Sequence, residues 1–278
     1  MLKLLGARQL GRRDEAKVLR VLGADPVASC MAAARVEEFG LSPHTFPGEL
    51  WSRGGPSSSL CYSGPNVMPL CGDAGDMRAF ADRVTRTPRK CSVIVGRREL
   101  TMPLWESLTP HWGPARELRF EQPLLAISTA PAIAPDPLVH TATPAEVDGY
   151  LAAALAMFIE ETGLDPTTHD GGNAFRQRIE QLIGSGRAFS RYQDGELIFK
   201  AEIGALSRAV GQIQGVWVHP EHRSAGHGAA GTAAVVDAIV KSGRTASLYF
   251  DDSNVAAGRT YDRVGFTRVA DFSTILLD

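Results

Sequence analysis

The sequence has no run of eighteen apolar residues, so no segment of it is expected to cross a membrane as a helix. Cysteine is scarce as well: Cys30, Cys61, Cys71 and Cys91 all fall in the first third of the 278 residues. Their spacings match no zinc pattern and make no disulfide framework, so they are read as reduced, mostly buried thiols. The first ten residues carry Lys3 and Arg8 but no long apolar stretch and no small-residue cleavage site. That argues against a secretory signal and for a cytoplasmic protein. Charge of one sign is not in excess either. Residues 1–140 hold 17 basic and 14 acidic side chains (+3), and the remainder holds 12 and 17 (−5), which sums to the net −2. Neither half is basic enough for general nucleic-acid binding, and the basic clusters at 86–90 and 97–98 are read as solvated surface. The nucleotide loop G-x-x-x-x-G-K-[ST] is missing, and no set of His, Asp, Glu and Cys shows metal-ligand spacing, so no metal is expected.

What is present is ordinary globular composition, 44% hydrophobic and 22% charged, over a length suited to two domains or one large one. The clearest boundary is Ala130-Pro131-Ala132-Ile133-Ala134-Pro135-Asp136-Pro137, where three prolines favour an extended connector. The expected division is an α/β domain of unknown role over 1–130, a proline-rich linker over 131–142 and a second domain over 143–278.

In the first part, a helix is expected from Asp25-Pro26 to Gly40, strands near 49–53, 58–62 and 67–70, a helix over 76–86, and strands at 91–95 and 117–128. Trp51, Trp105 and Trp112 are read as core residues before pocket residues. In the second part, Thr143-Pro144-Ala145-Glu146 is a capping box that opens an amphipathic helix ending near Gly163. A second helix ends near Gly184, and Asp194-Gly195 is the pair that a type I′ hairpin prefers. Strand 212–218, helix 228–241, strand 247–250, helix 256–264 and strand 267–277 follow. The expected order is α-α-β-β-β-α-β-α-β.

The sharpest motif joins a strand to a helix: Val216-Trp217-Val218-His219-Pro220-Glu221-His222-Arg223-Ser224-Ala225-Gly226-His227-Gly228, followed by Ala229. Its core is Arg223-x-x-Gly226-x-Gly228. Glycines there allow positive φ and close approach of a ligand to the backbone, and the following helix start favours an anion such as a pyrophosphate. Arg223 can add a side-chain contact, and His222 and His227 flank the turn. The turn does not match the dinucleotide pattern G-x-G-x-x-G. A second motif follows: Asn254-Val255-Ala256-Ala257-Gly258-Arg259-Thr260-Tyr261-Asp262-Arg263-Val264-Gly265-Phe266.

Together these two motifs resemble those of the GNAT superfamily of acyl-CoA-dependent N-acyltransferases, and the element order agrees from about residue 143 to 278. The resemblance implies an α/β (α+β) fold: a GNAT-like mixed central sheet flanked by helices, preceded by a smaller α/β domain whose alternation suits a degenerate second copy. It resembles the actinobacterial two-part proteins of this superfamily with an uncharacterised N-terminal domain. By that resemblance the turn from Arg223 to Gly228 cradles the CoA pyrophosphate, and the strand with Val216, Trp217 and Val218 pairs with the pantetheine arm. Asn254 and the neighbouring Ala257 lie on the CoA arm, and Tyr261 protonates the leaving thiolate. Acetyl-CoA is then the cosubstrate and a primary amine, on a small molecule or a protein, the acceptor, attacking directly without a covalent enzyme intermediate. No nucleic acid or membrane partner is expected, and the oligomeric state is open, a dimer included. The base is unresolved. Family members often carry a glutamate on the strand before the turn, but this strand offers Gln212 and Gln214. Glu202 on the preceding strand is the best substitute, although pairing with a nearby cation explains it equally well, and His219 is a further candidate. A non-catalytic acyl-CoA sensor, a partner-recruiting protein, and an enzyme for longer acyl or aminoacyl donors are the competing readings.

Overall fold

The computed structural model describes residues 6–168 and 170–278; Met1 to Leu5, the first half of the stretch expected to carry no secretory signal, lie outside the described residues. In chain order the first half holds β1 (Arg8–Gln9), α1 (Glu15–Leu22), α2 (Cys30–Phe39), β2 (Glu49–Ser52), β3 (Leu60–Ser63), β4 (Asn66–Cys71), α3 (Ala74–Val84), β5 (Val93–Arg97), α4 (Arg98–Trp112) and β6 (Glu117–Ile127). The second half holds β7 (His140–Thr141), α5 (Val147–Thr162), α6 (Asn173–Gly184), β8 (Ala188–Gln193), β9 (Glu196–Leu206), β10 (Val210–Val218), α7 (His227–Lys241), β11 (Thr245–Tyr249), α8 (Val255–Val264) and β12 (Thr267–Leu276). Each half runs β-α-α-β-β-β-α-β-α-β. The element order expected for 143–278 is found there, and the first half repeats it.

Local chemistry accounts for much of this. The Glu146 carboxylate accepts the Thr143 N–H at 2.6 Å, as the capping box requires. Asp194 and Gly195 both have positive φ (+52° and +83°), the type I′ geometry that turns β8 into β9. Two expectations are corrected. Asp25-Pro26 does not open a helix; it lies in turns between α1 and α2. Helix α4, with Pro103 and Pro110 inside it, has no counterpart among the expected elements, because internal proline reads as a helix breaker.

The strands form one sheet in the order β1-β2-β3-β4-β5-β12-β6-β11-β10-β9-β8-β7. Read from either edge toward the middle, the two halves carry equivalent strands, except that the last strands are exchanged. β12, from the second half, pairs with β5, while β6, from the first half, pairs with β11; β6 and β12 pair with each other at the centre. The layers repeat too. Val18, Leu22, Ala32 and Val36 of α1 and α2 cover one face of the first half, and Met77, Phe80, Leu104 and Leu108 of α3 and α4 cover the other. In the second half Tyr150, Ile179, Leu182 and Ile183 of α5 and α6 lie on one face, and α7 and α8 bury Val235, Val236, Ile239, Tyr261 and Val264 on the other. Trp51 and Trp105 are core residues of the first half. All four cysteines are free. No helix among the described residues is long and apolar enough to cross a membrane.

One irregularity shapes the second half. Gln214 pairs with Glu202, yet Trp217, three residues on, pairs with Lys200, two residues back along β9. β10 therefore holds one extra residue, a bulge at Gly215 with φ +61°. The parallel pairing of β10 with β11 covers only 210–212 against 245–247, although β10 continues to Val218 and β11 to Tyr249. Beyond Gln212 the two strands part, and among the described residues one edge of β10 has no strand partner. The bulge is held from below. Lys200 is fully buried, its Nζ donating to Gly215 O at 3.0 Å and to Glu202 Oε1 at 3.3 Å, with the Tyr150 ring 5.4 Å away. Glu202 Oε2 accepts from Gln214 Nε2 at 3.2 Å and faces Arg178 at 3.7 Å. Burial lowers the Lys200 pKa, and the Glu202 carboxylate opposes that shift.

Two outcomes follow from this arrangement. A fragment of residues 1–130 lacks β12, which bridges β5 to β6. It is expected to remain without cooperative unfolding and without dispersed amide resonances; a folded, monomeric fragment contradicts the exchanged-strand account. Lys200→Met leaves Glu202 short of its main partner and is expected to cost on the order of 3 kcal/mol in urea denaturation. Adding Glu202→Leu should recover most of that loss. A single variant as stable as the parent would show that the pair does not hold the bulge.

Candidate functional site

The parted ends of β10 and β11 open at the carboxyl ends of two parallel strands, where α/β sheets place their ligand crevices. The chain leaves β10 at Val218, makes a short 3-10 turn over Pro220–His222, and enters α7 through Arg223 to Gly226. Gly226 is the N-cap of α7, with φ +90° and no side-chain cap, and a Cβ placed there would meet nothing within 4 Å. The first bond of the helix runs from the Ala230 N–H to Gly226 O at 3.0 Å, so the N–H groups of Gly226, His227, Gly228 and Ala229 precede the ladder. Ser224, with φ +62°, and Ala225 are exposed on the rim. This is an open, uncapped helix N-terminus of the kind that binds anions.

The first half offers a control within the same chain. Its equivalent junction, from β4 to α3, has only two residues, Gly72 and Asp73. There the Asp73 carboxylate accepts the Asp76 N–H at 2.9 Å, and the Asp76 carboxylate accepts the Asp73 N–H at 3.0 Å. The helix end is closed by the chain's own carboxylates, and those backbone bonds hold the Asp73 pKa low. Of the two equivalent helix ends, only α7 is left open.

The side chains around the open end are engaged. Arg223 is bound in a fork by Glu160 of α5, at 2.9 and 2.8 Å, with its Nε donating to Val218 O at 3.1 Å. His227 Nδ1 lies 2.9 Å from Arg191, which also contacts Asp136 at 2.9 Å. Burial and that guanidinium lower the His227 pKa. His219 and His222 both face Glu196 at 3.3 Å. Val216 and Val218 pack toward α7, whereas Trp217 faces the other way, beside Ala153 and Leu197, with its indole N–H buried and without a partner among the described residues.

Asn254 is the N-cap of α8, its Oδ1 accepting the Ala257 N–H at 3.0 Å. Tyr261 is buried between Phe250 and Phe266, with ring centroids 5.3 and 5.9 Å away. Unlike Tyr150, which donates to Ala201 O, its hydroxyl has no protein partner among the described residues. Burial raises the Tyr261 pKa, and the nearby Glu161 carboxylate adds to the effect. Tyr261 and Glu202 are not brought together. Tyr261 belongs to the α7/α8 face, and Glu202 to the face under α5, where its carboxylate is taken up by Lys200, Gln214 and Arg178.

Glu161, at the end of α5, escaped the sequence reading. Arg119 of β6 donates to the Glu161 carbonyl at 3.2 Å, tying the helix end to the exchanged strand. Glu161 is exposed as a residue, yet its carboxyl is the one carboxylic acid among the described residues whose pKa is raised, by loss of water around the group first, against the opposing pull of Arg119 and Lys200. No sequence signal marks it, because its neighbours come from β6, β9 and α8.

The comparisons bear on the fold. Residues 48–150 match a family model described as a domain of unknown function (DUF4081), and residues 196–274 match the model of FR47-like proteins. No curated protein matches the chain. Among solved structures, a GNAT-family acetyltransferase from Colwellia psychrerythraea superposes with a TM-score of 0.58 at 12% identity, covering 98% of this chain and 99% of its own. A GCN5-related N-acetyltransferase from Sphaerobacter thermophilus gives 0.56 at 16% identity, covering 99% and 97%. A tandem GNAT protein from the clavulanic acid biosynthesis pathway gives 0.53 at 15% identity, covering 97% and 98%. The chain therefore has the GNAT fold, built twice, with an FR47-like domain in its second half and a DUF4081 domain ahead of it.

Proposed function

We propose that the protein is an acetyl-CoA-dependent N-acetyltransferase of the cytoplasm, acting through its second half, residues 143–278, with 131–142 as the connector. The observation that carries this reading is the open N-terminus of α7 beside the unpaired edge of β10. The N–H groups around Gly226 to Ala229 receive the CoA pyrophosphate. Arg223 joins them by leaving Glu160, a rearrangement within one exposed ion pair. The free edge of β10 at Val216 to Val218 hydrogen-bonds the pantetheine arm. Asn254 and Ala257 begin the helix on the far side of the cleft, and Tyr261 lies one turn further on. The GNAT acetyltransferases to which the fold is similar support acetyl-CoA as donor.

The acceptor is a primary amine, on a small molecule or a protein. Such an amine has a pKa near ~10.4 and must lose a proton before it attacks. Its nitrogen then forms the new C–N bond as the thioester C–S bond breaks, and a backbone N–H of β10 stabilises the oxyanion. Tyr261 returns a proton to the thiolate. The carboxylate of Glu202 is already matched to Lys200, so its part is to hold the bulge. Glu161 has the raised pKa and the proximity to Tyr261 that suit it to receive the amine proton, directly or through water. A second reading, an acyl-CoA sensor without turnover, is favoured by the engagement of both Glu202 and Arg223.

Calorimetric titration with acetyl-CoA and with CoA tests the reading, with one saturable site expected. Gly226→Glu places bulk and negative charge in the anion site and should abolish binding while the fold persists. Unchanged affinity in that variant removes the assignment. In an amine-acceptor screen, Tyr261→Phe and Glu161→Gln should each lower kcat about 10²-fold or more with little change in CoA affinity. Binding without turnover for any amine would favour the sensor.

A further inference from the structure

The turn that leads into α7 brings together three side chains that the donor reading does not use. Glu196 begins β9, immediately after the Asp194-Gly195 hairpin turn. His219 precedes the 3-10 turn Pro220–His222, and His222 ends it. His219 Nε2 lies 3.3 Å from Glu196 Oε1, and His222 Nε2 lies 3.3 Å from Glu196 Oε2. One donor atom from each of the three residues falls within 4.8 Å of the others. A tetrahedral ion with ligand bonds of about 2.0–2.1 Å separates neighbouring donor atoms by about 3.4 Å. Each His–Glu contact is close to that spacing but is made to a different carboxylate oxygen, so an ion held by both rings takes Glu196 through both oxygens or after a small turn of its carboxylate. The site is empty.

We propose that Glu196, His219 and His222 form a binding site for one divalent late first-row cation, of which Zn²⁺ is the natural probe. Two imidazoles and one carboxylate select such ions over Mg²⁺ and Ca²⁺, which take oxygen ligands. The side chains of His219 and His222 are each 26% exposed and that of Glu196 is 49% exposed, so the site is open to solvent and leaves room for water on the fourth position. Binding through Nε2 puts the ring proton of His219 on Nδ1. That sets two donors face to face where Nδ1 now accepts the Glu221 N–H at 3.4 Å, so the ring turns slightly away from Glu221 on binding. The neighbouring His227 ring, 6.1 Å from that of His222, is held by Arg191 through Nδ1 and is not needed as a ligand. An ion here fastens the start of β9 to the segment that enters the Arg223–Gly228 turn, and so stiffens the approach to α7. Sequence spacing alone did not expect it. The two histidines are three residues apart, but Glu196 is joined to them only by the antiparallel pairing of β9 and β10.

The test uses tag-free full-length protein stripped of metal. One equivalent of Co²⁺ should produce the intense visible absorption of a low-coordinate cobalt site, Zn²⁺ should displace it, and Mg²⁺ should not. Zn²⁺ should also raise Tm in a concentration-dependent way. Glu196→Gln and His222→Asn, checked for native circular dichroism, should each lose at least tenfold in affinity. On the unsubstituted protein, Zn²⁺ should shift the imidazole resonances of His219 and His222 and leave those of His44 and His111 unmoved, a readout that requires no variant to fold. Absence of the cobalt bands, equal affinity in both variants, or unshifted His219 and His222 resonances would overturn the proposal. None of these outcomes bears on CoA binding, so this inference and the acetyltransferase reading stand or fall separately.

Discussion

The pairing of β6 with β12 at the middle of the sheet is the contact on which the rest of the molecule hangs. Each of these strands comes from one half of the chain and lies against the penultimate strand of the other. Neither half can complete its own sheet from its own residues. Phe272 and Leu124 enter the core under α1 and α2, while Leu125 and Ile127 of β6 enter the core under α7. The exchange also carries the amino end of β6 past the end of β11, so Arg119 reaches the end of α5.

Given two copies of one scaffold, the difference between them is instructive. Both have a parallel strand pair in which only a few residues are registered, 66–67 with 93–94 in the first half and 210–212 with 245–247 in the second. Both follow the inner strand with a helix. In the first half a two-residue link brings Asp73 onto the helix end, and two carboxylates occupy the place where an anion would bind. In the second half the link is eight residues long and ends on glycine, and the place stays open. The same fold is sealed in one copy and receptive in the other through the choice of a few junction residues. This is the physical sense in which the first copy is degenerate.

The bulge at Gly215 links the buried electrostatics to the cleft. An extra residue bends β10 away from β11 and turns a carbonyl inward, and the buried ammonium of Lys200 receives that carbonyl together with Glu202. A buried cation with two good acceptors is tolerable, whereas alone it would not be. Glu202 lies one strand back from Gln212 and Gln214 of β10, and its carboxylate is taken up by Lys200, Gln214 and Arg178.

Local chemistry made much of the second half legible in the sequence. The Thr143–Glu146 capping box and the Asp194-Gly195 turn each act within four residues of themselves, and each is found as read; Gly226 and Asn254, read from the sequence as ligand contacts, turn out to cap α7 and α8. The first half was less legible, because α4 contains two prolines and α1 was hidden before a turn that itself resembled a helix start. The tertiary structure alone decided everything that joins residues far apart in the chain: the exchange of β6 and β12, the commitment of Glu202 to Lys200 and of Arg223 to Glu160, and the meeting of Glu196 with His219 and His222. Caps and turns are set by neighbours along the chain, so the sequence contains them. Pairings across a sheet are set by which strands lie side by side, and that choice was made by burial in the cores of both halves at once.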